Sequence, residues 1–142
     1  MWADTFLRAE QLHVLRLLVW GVLSIVGGTV AATTIAVRRT RSPLVAHFAL
    51  QMAVWGIVIA VIAAAEWRGL HLPDLAAATR TDRVLWMNIG FDAGFVGMGA
   101  VLAACARLLT RNAAALGAGI GIVVQGLGLL VIDLQFAAVV SR

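Results

Sequence analysis

An all-α fold, an antiparallel bundle of four transmembrane helices, follows from three observations on the sequence. Hydrophobic residues make up 62% of the 142 and charged residues only 13%, about half the charged share of an ordinary soluble domain. Four apolar runs are each about 20 residues long, the length that crosses a hydrocarbon layer as a helix. The arginines fall between these runs and not along one polar face. No soluble fold of this size has enough interior to hide so much apolar surface, so lipid is the expected solvent. The length allows one integral membrane domain over residues 1–142.

The first span is Leu17–Val37. Its helix is expected to start near Asp4 and to run outside the membrane first, because "TFLRAEQLHVLR" has helical spacing and no breaker. The run is too long for the core of a secretion signal and ends in Arg38-Arg39, so it reads as an uncleaved span. Ser42-Pro43 places a cap and a first-turn proline before the second span, Leu44–Ala65. Asp82 is the expected cap of the third span, Val84–Ala106, with a short surface helix after Pro73 in the preceding connection. Asn112 is the expected cap of the fourth, which runs from Ala113 to Ile132 and on past Asp133 to Val140.

An even number of spans puts both termini on one side. The two short connections, "RRTRSP" and "RLLTRN", hold Arg38, Arg39, Arg41, Arg107 and Arg111 close to the helix ends. By the bias of arginine toward the cytoplasmic side, these loops are expected to face the cytoplasm of a bacterial inner membrane and the termini the periplasm, although Arg8, Arg16, Arg68, Arg80 and Arg83 lie on the terminal side. All eleven basic residues are arginine and the net charge is +4. They read as residues at the membrane edge, and nucleic acid is not an expected partner. The lone Cys105 excludes an intrachain disulfide and a Cys-x-x-Cys redox pair. Gly90/Gly94 and Gly117/Gly121 have the spacing that lets helix backbones approach closely, so the third and fourth helices are expected to pack through them. A homo-oligomer through the same stripe is the weaker alternative. "VWGIVIAVI" and "VQGLGLLVI" align as a faint repeat, which apolar segments also do by chance.

"MNIGFDAGFVGMG" holds the main clue to function, a carboxylate inside an apolar run. Counted from the outer edge, Asp92 lies ~12 Å down the third helix and Asp133 ~10 Å down the fourth. A carboxylate facing lipid is costly, so Asp92 should face the bundle interior and needs a partner there. Asn88, one turn away, Asp133 and Arg16 are the candidates. If the two carboxyls meet in so dry a place, they would share a proton. A deeper layer holds Gln51 and Gln125, both ~22 Å from that edge. They read as a mutual hydrogen bond or as the lining of a narrow polar path. His47, Gln51 and Trp55 form one stripe on the second helix, with His47 toward the cytoplasmic end. Trp20, Trp67 and Trp86 suit an interfacial belt.

The patterns N-x-G-x-D-x-G-[aromatic] in "NIGFDAGF" and Q-G-x-x-L-L-x-x-D in "QGLGLLVID", with "HFALQMAVW", resemble an uncharacterised group of small bacterial four-helix membrane proteins. The likeness covers the second to fourth helices and, through "VWGVLSIVGG", the first more weakly. The matched positions are His47, Gln51, Trp55, Asn88, Asp92, Gln125 and Asp133. The resemblance implies the fold and supplies no activity.

No phosphate loop, His-Glu-x-x-His or Ser-His-Asp set is found. A haem would have to pair His13 with His71, and His71 sits on a loop; the sequence specifies no cofactor. The expected function is binding or translocation of a small polar or cationic ligand, or a proton. The site would be an outward-facing pocket bounded by Asn88, Asp92 and Asp133, with Gln51, Gln125, His47 and Trp55 along the way inward. Besides the bilayer, the partners would be further copies of the chain or a larger membrane protein. The alternative is a non-catalytic accessory subunit of a larger membrane complex. A membrane enzyme acting on lipid or quinone through Asp92 and His47 is disfavoured by their separation in depth.

Overall fold

The computed structural model describes residues 2–140. Among them it has four helices and no strand: α1 (Trp2–Val37), α2 (Pro43–Gly69), α3 (Leu75–Leu108) and α4 (Ala113–Val140). All four are long and apolar enough to cross a membrane. With 36 and 34 residues, α1 and α3 exceed the crossing length of about 20 by several turns.

Local chemistry sets the helix ends. The Val45 N–H donates to Ser42 Oγ at 3.4 Å with Pro43 in the first turn, and the Ala114 and Ala115 N–H groups donate to Asn112 Oδ1, both as expected. The third start differs. Asp74 caps α3 by accepting from the Ala77 N–H at 2.7 Å, so the expected surface helix after Pro73 is the first part of α3, and Asp82 lies inside the helix. Nothing between Leu75 and Val84 breaks a helix, so the cap nearest the proline wins. At the far ends of α1 and α3, Arg39 and Arg111 adopt φ of 50°. There the Thr40 N–H closes on the Ile35 carbonyl and the Asn112 N–H on Ala106, the left-handed stop usually given to glycine.

Packing follows glycine. α1 lies on α2, α2 on α4, and α3 on α4, with a lesser meeting of α1 and α4; α3 packs closely only on α4. Gly21 sits against Gly56 and Ala60, and Gly28 against Ala49 and Ala53, where a Cβ would come within 2.6 Å of the Ala49 carbonyl oxygen. Gly99 meets Gly119 and Val123, while Gly126 meets Val96 and Asp92. In each pair the numbers fall on one helix as they rise on the other. The end that holds the described parts of both chain termini and the α2–α3 connection is here the terminal end; the other, with the two short connections, is the loop end.

The third and fourth helices do pack tightly, but not through the expected glycines. Gly90 and Gly94 have nothing against them, and Gly117 and Gly121 face Leu44 and Gln51 of α2. Residues four apart share a face, but spacing does not say which neighbour that face meets.

Candidate functional site

At the terminal end the helices part around a cavity of about 370 Å³, walled by α1, α2, the α2–α3 connection and α3, with Phe136 of α4 beside it. Its polar lining comes from Glu10, His13, Glu66, His71, Thr81 and Asn88, with Arg80 also on the wall. The Thr81 hydroxyl donates to Glu10 Oε1 at 3.1 Å, tying α1 to α3. His71 Nδ1 lies 2.7 Å from the Gly69 carbonyl oxygen; a carbonyl only accepts, so Nδ1 carries a proton. Glu10 and Glu66 lie just beyond the spans 17–37 and 44–65. Burial pushes the Glu10 carboxyl above the ordinary glutamate range, against the Thr81 hydroxyl and His71. Burial, then the charge of Glu10, pushes Glu66 the same way. Neither carboxylate forms an ion pair with an arginine among the described residues.

At the floor of the cavity, His13 Nε2 stands 3.6 Å from Asp133 Oδ1, an ion pair whenever the imidazole is protonated. The ring stacks on Phe136 with centroids 4.5 Å apart and 18° between planes, which fixes the direction in which Nε2 points. Asp92 and Glu66 are near enough to bear electrostatically on Asp133. Asp92 faces inward and is 6% exposed, and its Oδ2 has no hydrogen-bond partner among the described residues. Arg16 is exposed and acts on His13. The partner that the structure gives Asp133 is thus His13, a residue weighed from the sequence only as a haem ligand.

Further down, Trp20 crosses the interior. Its Nε1 donates to Gln125 Oε1 at 2.9 Å, and Gln125 Nε2 turns to the Met52 carbonyl and sulfur, both at 3.5 Å. The indole lies over Gly128, where a Cβ would strike the ring. One expectation is corrected here. Gln125 pairs with Trp20 and Met52, and Gln51 stands apart with its Cβ beside Gly121. Trp20 is half-buried with its ring turned inward, where a glycine opposite makes room for it.

The remaining predicted residues separate. Asn88 lines the cavity, whereas Asp92 and Asp133 are not part of its lining. His47 is exposed and faces away from the other helices; the stripe with Gln51 and Trp55 rotates out of the bundle at its first member. Trp55 meets Phe95 of α3 edge to face, centroids 5.4 Å apart, beside a small apolar crevice floored by Ile122 and Gly126. Glu10 and His13 were legible in principle. They are three residues apart, on the flank of the Ala9, Val14 and Leu17 face that packs into the core. Among the described residues no three of His, Cys, Asp and Glu gather as a set for a metal ion.

The family of unknown function DUF6992 matches residues 16–134, and the chain belongs to it. The match takes in Glu66, Asn88, Asp92, Gln125 and Asp133 and begins after Glu10 and His13. No curated protein and no solved structure matches the chain.

Proposed function

We propose that the four helices cross a bacterial inner membrane as an antiparallel bundle, termini on the periplasmic side, and that the cavity at that end binds a small cationic ligand. One observation carries this reading: two carboxylates, Glu10 and Glu66, line one cavity, and among the described residues no arginine is paired to either. Uncompensated carboxylates in a partly dry site favour an incoming cation. The hydroxyl of Thr81 and the amide of Asn88 add neutral hydrogen-bonding groups. Beneath the ligand, His13, Asp133 and Asp92 offer places for a proton to be held or released as a positive charge arrives. The Trp20–Gln125–Met52 layer closes the way toward the loop end, so the arrangement corresponds to an outward-facing state, and translocation would require the indole to leave Gly128.

Calorimetric titration of the purified protein with ethylammonium tests the binding step. Glu10→Gln and Glu66→Gln should each weaken binding about tenfold, the scale of one lost charge-assisted hydrogen bond; unaltered affinity in both variants contradicts the reading. The pH dependence has a definite sign. Because burial raises both carboxyls, they are neutral at low pH, while Arg80 on the same wall stays charged, and they gain charge above the ordinary glutamate range, so affinity for a cation rises with pH there. If the ligand is carried across, Asp92→Asn abolishes proton-linked uptake into vesicles, and unchanged flux removes transport.

A second reading, an accessory subunit of a larger membrane assembly, is favoured by Gly90, Gly94 and Gly97, which sit on α3 with nothing against them. Recovery of a stoichiometric partner that is lost in Gly94→Leu, with the cavity variants unaffected, would select it.

A further inference from the structure

The cavity does not end at its polar lining. On α2, Trp55, Ile62 and Gly69 are spaced seven apart and share one face; on α3, Thr81, Asn88 and Phe95 do the same. The two rows face each other in opposite directions. Gly69 and Thr81 both line the cavity, and Trp55 and Phe95 are in ring contact. Between them lie Ile62 and Asn88, both exposed. Because α3 packs closely only on α4, these rows wall a groove that α4 floors. The carboxylate cavity lies at one end of these rows, and the small crevice at Trp55, Phe95, Ile122 and Gly126, with Gln125 at its edge, lies at the other. The distance from Asn88 to Phe95 along the helix is ~10 Å. One end of the groove carries two carboxylates, neither in an ion pair with the Arg80 of the same wall, the other is apolar, and its open side faces what would be lipid.

Resting on the binding reading above, we propose that the ligand is a membrane-borne amphiphile with a cationic amine head and a single alkyl chain. The head lies between Glu10 and Glu66 within reach of Asn88, and the chain lies in the α2–α3 groove against Trp55 and Phe95. Charge complementarity sets the head, since both acidic groups are at the cavity end. Continuity of the two rows sets the chain, since a ligand held at Asn88 has one covered apolar direction to follow. A double-chained lipid is disfavoured by the single narrow crevice. The ligand reaches the site sideways from the bilayer, which fits a cavity closed below by Trp20.

Ethyl-, octyl- and dodecylammonium, titrated against the full chain in lipid nanodiscs, test this. Affinities are expressed per mole fraction of probe in the bilayer, which removes simple partitioning. Octylammonium should bind about tenfold more tightly than ethylammonium, from packing along the groove, and dodecylammonium should gain little more. Phe95→Ala should erase the chain-length gain and leave ethylammonium unchanged. Ile62→Trp, which fills the groove from an exposed position, should do the same if Phe95→Ala does not fold. Ethylammonium binding with no gain for longer chains overturns the amphiphile and leaves the cation site standing; no binding of any alkylammonium overturns both. Equal binding of octyl sulfate also overturns it, since a charge-blind groove is only an apolar crevice.

Discussion

The two ends of this molecule are built by opposite rules. Toward the loop end, backbones touch: Gly28 on Ala49 and Ala53, Gly99 on Gly119, Gly117 on Leu44. Toward the terminal end no glycine brings α1, α2 and α3 together, and the space between them holds Glu10, His13, Glu66 and Asn88. In a chain whose helices are apolar on most sides, close approach depends on small residues because lipid gives little reason for one apolar helix to prefer another. Where the glycines stop, the bundle opens, and polar side chains line the opening. The glycines thus decide where a site can exist, and the carboxylates decide what it can hold.

Substitution of Gly28 by leucine would break that comparison most strongly. Backbone atoms of α2 leave no space for a Cβ there, so thermal unfolding in detergent should show a loss of about 3 kcal/mol or more. Gly94→Leu, at an open position, should stay within about 0.5 kcal/mol; equal effects at the two sites would refute the division. Next in size is Trp20→Phe. It leaves the buried Gln125 carbonyl unpaired and should cost about 2 kcal/mol in the same assay, whereas no change would mean that the layer seals nothing. Asp92→Leu should move the other way, raising stability by about 1 kcal/mol because it removes a buried oxygen without a partner. That a carboxylate which weakens the fold is present at all is what a working role would explain. The smallest effect is Arg39→Gly, which relieves a left-handed arginine at the loop end and should add about 0.5–1 kcal/mol; a loss there would show that the arginine side chain stabilises the turn.

How much of this was legible in the sequence depends on the range of the forces involved. Helix number and the Ser42 and Asn112 caps are local and could be read directly. The start of α3 could not, because hydropathy marks the span and not the exposed turns before it, and Asp82 offered a plausible cap nearer the apolar run. Inward placement of Asp92 and Asp133 followed from the cost of charge in lipid. Their neighbours did not follow, because the lateral order of the helices is set by which glycine meets which backbone. The pairing of Trp20 with Gln125 across Gly128 and that of His13 with Asp133 both depend on that order. His47 shows the limit most plainly: it shares the spacing of Gln51 and Trp55, and a helix face that begins inside can rotate outside within two turns.

The central claim is that the terminal-end cavity is an accessible, cation-selective site. It is tested most directly by placing a cysteine at Asn88 in a background where Cys105, itself exposed, is serine. The rates of modification by a cationic and an anionic thiosulfonate reagent of matched size are then compared. The account predicts a cationic preference of about tenfold from the two carboxylates, reduced in Glu66→Gln and slowed by ethylammonium. Equal rates for the two reagents, or no modification from the terminal side, would contradict it.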